Sequence, residues 1–530
     1  MPILFLLLLL IASPLFAQTA PQTYHVNPLP TCADASGAGT KESPYCTLRY
    51  VSTIAKPGDT FLIQPGRYGQ GPVTFTRSGT VDHPITYKAI GDVVIGSFID
   101  INDEDFQASQ WPGVSSSFVY TIRLQPAVKP SRVYQTFFPD ILVDSTSNQS
   151  IFTMRDADGP LALTQVTDYA TLSAQDGTWL YDAGMLHVHA FGHRVPSLTA
   201  TDFVISTGPA LGVTGSYNVF DGFRVPYAAG AGTSTSGSFN RFLNMTFQGS
   251  GWAMRGKDNL ADGLTITHVI ARGPTWFWTM LATGTAMSVY GTGQVVKNAD
   301  IFHNWNSSIS ADGSTGMVID GLRLHGGTNH CGAYGKNSTI RNAVFYNCQD
   351  YFYLNEAGHH TIDHTINPLG VAFQGLTAAT GTATVTNSIL NGSFGATLLT
   401  PLTLCTWEPG TTLERNIIST TATIRRCADR KEYPILDYMA KCATGVFGGC
   451  MTFKDNVFVA HDWKTVIVDG RWTGVLGDAW DVTLVPGSPA IGAAMDGLDI
   501  GPLQNHSLKP VVPSTSAPPL VAPQGVRILH

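Results

Sequence analysis

Charge is scarce in this sequence. Only 13% of its 530 residues are charged, and 38 acidic against 31 basic side chains leave a formal net charge of −7. There is no basic field to hold nucleic acid. Long apolar runs are rare as well: the one at the start, Ile3 to Ala12, falls short of the roughly 20 residues a bilayer-spanning helix needs. With Ser13, Pro14 and a small residue at Ala17 after it, the run reads as a signal peptide over 1–17, although no Lys or Arg precedes it. The expected location is therefore secreted, periplasmic or cell-surface, with no membrane association once the signal is removed. Also missing is the Cys-x-x-Cys spacing of a zinc knuckle. The eight cysteines form sequence-near pairs, Cys32 with Cys46, Cys331 with Cys348, Cys405 with Cys427 and Cys442 with Cys450. In an oxidising compartment this favours disulfides over a metal site, although eight cysteines allow about 105 pairings. The sequence sets no oligomeric state.

What is present is a repeat. From Thr47, apolar residues at Leu48, Val51, Ile54 and Ala55 mark one face of a short helix that Pro57-Gly58 ends. Short strand-like runs separated by Gly, Pro and Asn follow. In the second half, Asn298, Asp320, Asn342 and His364 recur at a step of 22 residues, each between short β-rich runs. Weaker copies surround Asn244, His268, Asn387, Asn416 and Asn456. A unit of this length cannot bury its apolar side alone and must stack on its neighbours. The expected architecture is all-β: a right-handed parallel β-helix, a single-chain solenoid with an N-terminal capping helix. The recurring Asn is read as a turn residue tolerant of left-handed backbone, not as a catalytic group. The repeat lapses between 105 and 202, where Gly177 to Val188 reads as a hairpin, so an inserted β-rich subdomain is expected there. The division is then 1–17 signal, 22–104 cap and first coils, 105–202 insert, 203–505 main helix and 506–530 a flexible Pro/Ser-rich tail.

Two stretches carry a resemblance. Ile54-Ala-Lys-Pro-Gly-Asp-Thr-Phe-Leu-Ile-Gln-Pro-Gly-Arg-Tyr68, and Gly487-Ser-Pro-Ala-Ile-Gly-Ala493 with Asp499-Ile-Gly501, resemble the opening and closing coils of the pectate-lyase-like superfamily of secreted β-helix proteins. The resemblance implies a polysaccharide or oligosaccharide as partner without choosing a reaction. Calcium-dependent lyases of that superfamily use clustered Asp residues, and no such cluster stands in the coils, so no cofactor is expected and calcium is unsupported. The Asp-Pro-His-Asp motif of its mannuronan epimerases is missing too.

Neighbouring strands lie about 4.8 Å apart, so residues one period apart are expected to stack. Asp312, Tyr334 and Glu356 make one such column, with carboxylates roughly 9.6 Å apart by that spacing, near the upper limit for an inverting glycosidase. Asp258 extends it. A second column holds His303 and His325, with Arg272 near it: a base for the proton α to a uronate carboxyl and a cation to neutralise that carboxyl. Tyr334 is then the group returning a proton to the leaving oxygen. Trp252, Trp276 and Trp305 follow the aligned polar residues as candidate sugar platforms, and His330 falls in the same region. Each pattern also has a plainer reading, as solvated surface, stacked turn residues or buried indoles. The expectation is a secreted enzyme cleaving glycosidic bonds, hydrolase or lyase, against a non-catalytic glycan-binding or adhesive β-helix.

Overall fold

The computed structural model describes residues 21–69, 71–100, 107–108, 118–124, 128–136, 141–144, 151–154, 161–193, 203–228, 232–269, 285–304, 308–355, 358–367, 370–375, 381–398, 407–460, 463–467 and 482–502. The proposed signal peptide and the proposed tail from 506 lie outside them. Each winding contributes three short strands, and each strand pairs in parallel with its counterpart in the next winding. This makes a right-handed parallel β-helix with three stacks. The first runs from Thr23–Val26 through Thr60–Ile63 to Thr452–Lys454. The second runs from Gly66–Tyr68 to Val457–Val459, and the third from Val73–Phe75 to Thr423–Arg425.

The two-residue alternation of a strand decides what each stack buries. In the first stack the inward row opens with Tyr24, Phe61, Tyr87, Phe220 and Phe242, whose rings stack with centroids 5.1–5.3 Å apart. Aliphatic residues, Val296, Ile319, Ile340 and Ile362, continue the same row with no measurable exposure. Helix α1 (Leu48–Ile54) is capped by Thr47, whose Oγ1 accepts from the Tyr50 amide, and its Leu48 and Val51 join the same core.

The recurring polar residue occupies the corner between the first and second stacks. Asn244, Asn298, Asn342, His364 and Asn387 all have φ between +47 and +53°, the left-handed region that Asn tolerates. Asp320 is one residue off, because Gly321 takes the left-handed position with φ +80°. His268 belongs to a different corner, and Arg415 and Asp455, not Asn416 and Asn456, are the left-handed residues later on. The corner alternates between windings. Asn244, Asn298, Asn342 and Asn387 donate through Nδ2 to Asp221, Asp262, Asp320 and Asp363 of the winding before, at 2.7–2.8 Å. The winding after Asn244 and Asn298 presents Gly263 and Gly321, where a Cβ would stand 2.7 and 2.9 Å from the Asn Oδ1. Only glycine leaves room for the carboxamide there.

The step between windings varies. Leu260 pairs with Val295, Val295 with Val318, Val318 with Thr339 and Thr339 with Thr361, which are steps of 35, 23, 21 and 22 residues. The described strands between Phe98 and Ser206 lie off the solenoid: strand Ile85–Ile95 hydrogen-bonds directly to Asn218–Pro226, while the intervening strands form mainly antiparallel sheets, including the hairpin of Thr178–Asp182 with Met185–His189. At the other end, a segment after the last winding folds back along the outside of the second stack. Val466, Ile467, Ala490, Ala494 and Ile500 pack on Val344, Ile366, Ile389 and Ile417, and Asn387 receives hydrogen bonds from the Met495 and Gly501 amides. Disulfides join Cys32 to Cys46 and Cys442 to Cys450. Cys331 and Cys427 are also disulfide-bonded, while Cys405 and the Cys348 side chain, their expected partners, lie outside the described parts.

Candidate active site

The outward row of the second stack is one unbroken register from Arg67 through Val94, Arg224, Thr246, Thr265, Asp300, Arg323, Val344, Ile366, Ile389 and Ile417 to Val457. Towards each end it is apolar and covered. Val94 is packed with Phe98, Tyr134 and Val204 of the inserted region, and Val344 to Ile417 lie under the returning C-terminal segment. Between these covers the row is polar. Its floor is Thr246, Thr265, Asp300 and Arg323.

On this floor three imidazoles gather. His268 directly follows the strand Thr265–Thr267 and His303 stands near the end of the strand Val295–Asn304, each with left-handed backbone at φ +58° and +54°. His325 stands on the outward face beside Phe302, ring to ring at 4.9 Å and 5°. The rings of His268 and His303 are 5.5 Å apart, and those of His303 and His325 6.0 Å, both edge to face. Beneath them Asp300 accepts from Arg323 Nε at 3.2 Å and from Arg323 Nη2, and lies 3.3 Å from His325 Nε2.

Burial sets the charges. It disfavours the ionised form of Asp300, but hydrogen bonds from His325 and Arg323 outweigh it and hold the carboxyl below the usual range. Burial pushes His325 down, partly opposed by Asp300, and pushes His268 well below its ordinary value with help from His303. The result is an ionised Asp300 between a guanidinium and a neutral imidazole. A neutral His325 with Nε2 against a carboxylate donates from Nε2 and keeps its lone pair on Nδ1. The Nδ1 of His268 is 2.7 Å from Thr267 Oγ1, and its buried Nε2 has no hydrogen-bond partner among the described residues.

The structure brings together His303 and His325 of the second expected column, and adds His268, Asp300 and Arg323, which the sequence reading missed. The signal for the last two was strand alternation: Asp300 and Arg323 stand two places before Phe302 and His325 and so share their outward face. The first expected column does not form. Tyr334 pairs with Ala311 and Leu354, one and two residues away from Asp312 and Glu356, and is fully buried inside the helix. Burial also raises its phenol pKa, so it neither lines a surface cleft nor returns a proton. Trp252 is likewise corrected. It lies in the third stack's inward row, 1% exposed, with its indole N–H on Thr235 Oγ1, and offers no face to a sugar. Asp258 is an exposed corner residue with φ +52° and a loose 3.8 Å ion pair to Lys257. Its carboxylate faces Gly293. The backbone of His330 pairs with Asp350, while the side chains of His330 and Asp312, and all of Arg272, Trp276, Trp305 and Glu356, lie outside the described parts. Among the described residues no group of three His, Cys, Asp or Glu side chains is placed to hold a metal, and no helix is long and apolar enough to cross a membrane.

No family model matches the sequence, and no curated protein matches it. Solved structures do. One titled as the complex of XylC with xylose is 14% identical, with a TM-score of 0.52 over 82% of each chain. A structure titled as a glycoside hydrolase (9% identity, TM-score 0.44, 83% of this chain and 95% of that one) and one of pectate lyase Pel9A (14%, 0.41, 91% and 96%) follow at lower similarity. In fold, this chain stands among the right-handed parallel β-helix proteins, as its opening coils implied; the stretch from Gly487 to Gly501, expected as a closing coil, instead packs on the outside of the second stack.

Proposed function

We propose that the protein is an exported polysaccharide lyase acting on a uronate-bearing chain. The observation that carries this reading is the His325–Asp300–Arg323 group beside His303, on the polar stretch left between the two covers of the outward row. β-Elimination needs a base for the proton on the carbon α to the uronate carboxyl, and a cation beside that carboxyl so that the carbanionic electrons are tolerated. His325, kept neutral by burial and oriented by Asp300, is the base. Arg323 is the cation of this face. As the proton passes to the imidazole, the C–H electron pair becomes the new carbon–carbon double bond. The bond from the β-carbon to the glycosidic oxygen breaks, and that oxygen leaves with the proton handed back by the His325 imidazolium, which restores the base.

The test is incubation with a panel of acidic and neutral polysaccharides, following reducing ends and the ultraviolet absorbance of unsaturated uronates together. Absorbance that His325→Ala abolishes, with glycan binding retained, supports the lyase. Reducing ends without absorbance overturn it in favour of hydrolysis by carboxylates. Binding without either product makes the protein a glycan-binding β-helix.

A further inference from the structure

The inserted region holds imidazoles of its own. Helix α2 (Tyr169–Ala174) lies against the hairpin strand Met185–His189, whose alternation turns His187 and His189 to one face. His187 is taken up by hydroxyls, with Thr121 Oγ1 2.6 Å from its Nδ1 and the Tyr169 hydroxyl 3.3 Å from its Nε2. His189 is placed differently. Its Nδ1 is 2.8 Å from the Leu172 carbonyl of α2. A carbonyl only accepts, so Nδ1 carries the proton and, in the neutral ring, Nε2 keeps the lone pair. That lone pair meets Nδ1 of His193 at 3.0 Å. His193 reaches it because the chain turns through left-handed backbone at Gly192 and His193, with φ +67° and +54°, while Asp176 Oδ2 accepts from the Gly192 amide at 3.0 Å. The Phe118 ring stacks on the His193 imidazole at 4.6 Å and 27°. His193 is exposed, and its Nε2 makes no hydrogen bond among the described residues.

Two ring nitrogens this close share either one proton or one metal ion. We propose that His189 and His193 form a binding site for a divalent cation of the copper type. With metal–nitrogen bonds of about 2.0–2.1 Å, the 3.0 Å separation closes a nitrogen–metal–nitrogen angle of about 94°. That angle suits the square-planar or tetragonal preference of Cu2+ and Ni2+, whereas tetrahedral Zn2+ needs the nitrogens about 3.3 Å apart. Of these ions Cu2+ binds nitrogen ligands most strongly. The ion sits to the side of the line joining the nitrogens, which a small rotation of the exposed His193 ring allows. His193 offers its Nδ1 lone pair once the ring proton moves to the solvent-facing Nε2, an exchange that leaves the neutral ring neutral. The Leu172 carbonyl fixes the tautomer of His189, the usual outer partner of a ligating imidazole. Water fills the remaining positions. The site is independent of the imidazoles on the rod and of the elimination reading.

The test is titration of the full chain with Cu2+ alone, followed by calorimetry and electron paramagnetic resonance, for wild type, His193→Ala and, as a control, His359→Ala at an exposed histidine of the rod. Wild type should take up one copper ion whose spectrum carries two imidazole nitrogens, and should hold Zn2+ more weakly. His193→Ala should lose at least tenfold in copper affinity together with the second nitrogen signal, while His359→Ala changes neither. Equal copper affinity and an identical spectrum in His193→Ala and wild type overturn the site and leave the pair a shared-proton hydrogen bond. Because His193 is exposed, its replacement leaves the fold intact, which circular dichroism checks.

Discussion

Replacing Asp300 by Asn removes one charge and almost no volume. The side chains of Asp300 and Arg323 are 12% and 11% exposed, so the guanidinium left behind has little water to turn to. Breaking a buried pair by removing one partner costs about 3–5 kcal/mol. In a solenoid that loss is felt mainly in the two windings concerned, because each winding contacts only its neighbours. The direct assay is therefore native-state hydrogen exchange at amides 300–302 and 323–325. With a tenfold change per 1.4 kcal/mol, exchange there should accelerate by roughly two to three and a half orders of magnitude, while strands near Phe61 stay unchanged. The double substitution Asp300→Leu with Arg323→Met should restore most of the protection, since two well-packed apolar side chains need no counter-charge. An Asp300→Asn protein whose local protection falls less than tenfold would refute the description of this ion pair as desolvated.

Other outcomes follow from the same geometry. Tyr334→Phe should leave turnover and glycan binding unchanged, because the phenol is inside the helix; a large fall in rate would contradict that placement. His268 and His325 have folded-state pKa values below their unfolded ones, so the unfolded chain takes up protons first. Stability should fall as pH drops below about 6.5, the unfolded value. His187 of the inserted region, pushed down to about 4 mainly by burial, adds to the same slope between those pH values. Denaturant midpoints across that range are the readout, and a flat profile would contradict neutral buried imidazoles. Asn240→Ala should destabilise by about 1–3 kcal/mol for each of two stranded backbone groups, the Asn218 amide and the Gly215 carbonyl that its carboxamide joins at 2.9 and 3.0 Å. Urea unfolding of the variant beside wild type measures that loss.

The solenoid was legible in the sequence because its corners impose a conformational demand that few residues meet. Asn298, Asn342 and His364 announce the left-handed position wherever the glycine of the alternate winding does not. The site was only half legible. A fixed step of 22 predicts stacking only while every winding has that length, and one residue of slip turns a side chain from outside to inside. The slip at Ala311 and Tyr334 sent Tyr334 into the core. His303 and His325 survived as neighbours because imidazoles reach across a one-residue offset. Asp300 and Arg323 were invisible to a search for repeated residue types, since they pair by opposite charge and not by likeness. The covering of the row towards its two ends depends on segments distant in sequence, 98–206 and 463–501, which no local pattern announces.

The alternation at the corner of the first two stacks gives the rod a parity. An asparagine there needs an aspartate on one side and benefits from a glycine on the other. Gaining or losing a single turn would set two carboxamides or two carboxylates against each other. Gaining or losing two would leave every contact in phase. Between Asp221 and Asn387 the rod can therefore change length without repair only by even numbers of turns, and there the natural unit for lengthening, shortening or grafting it is the pair.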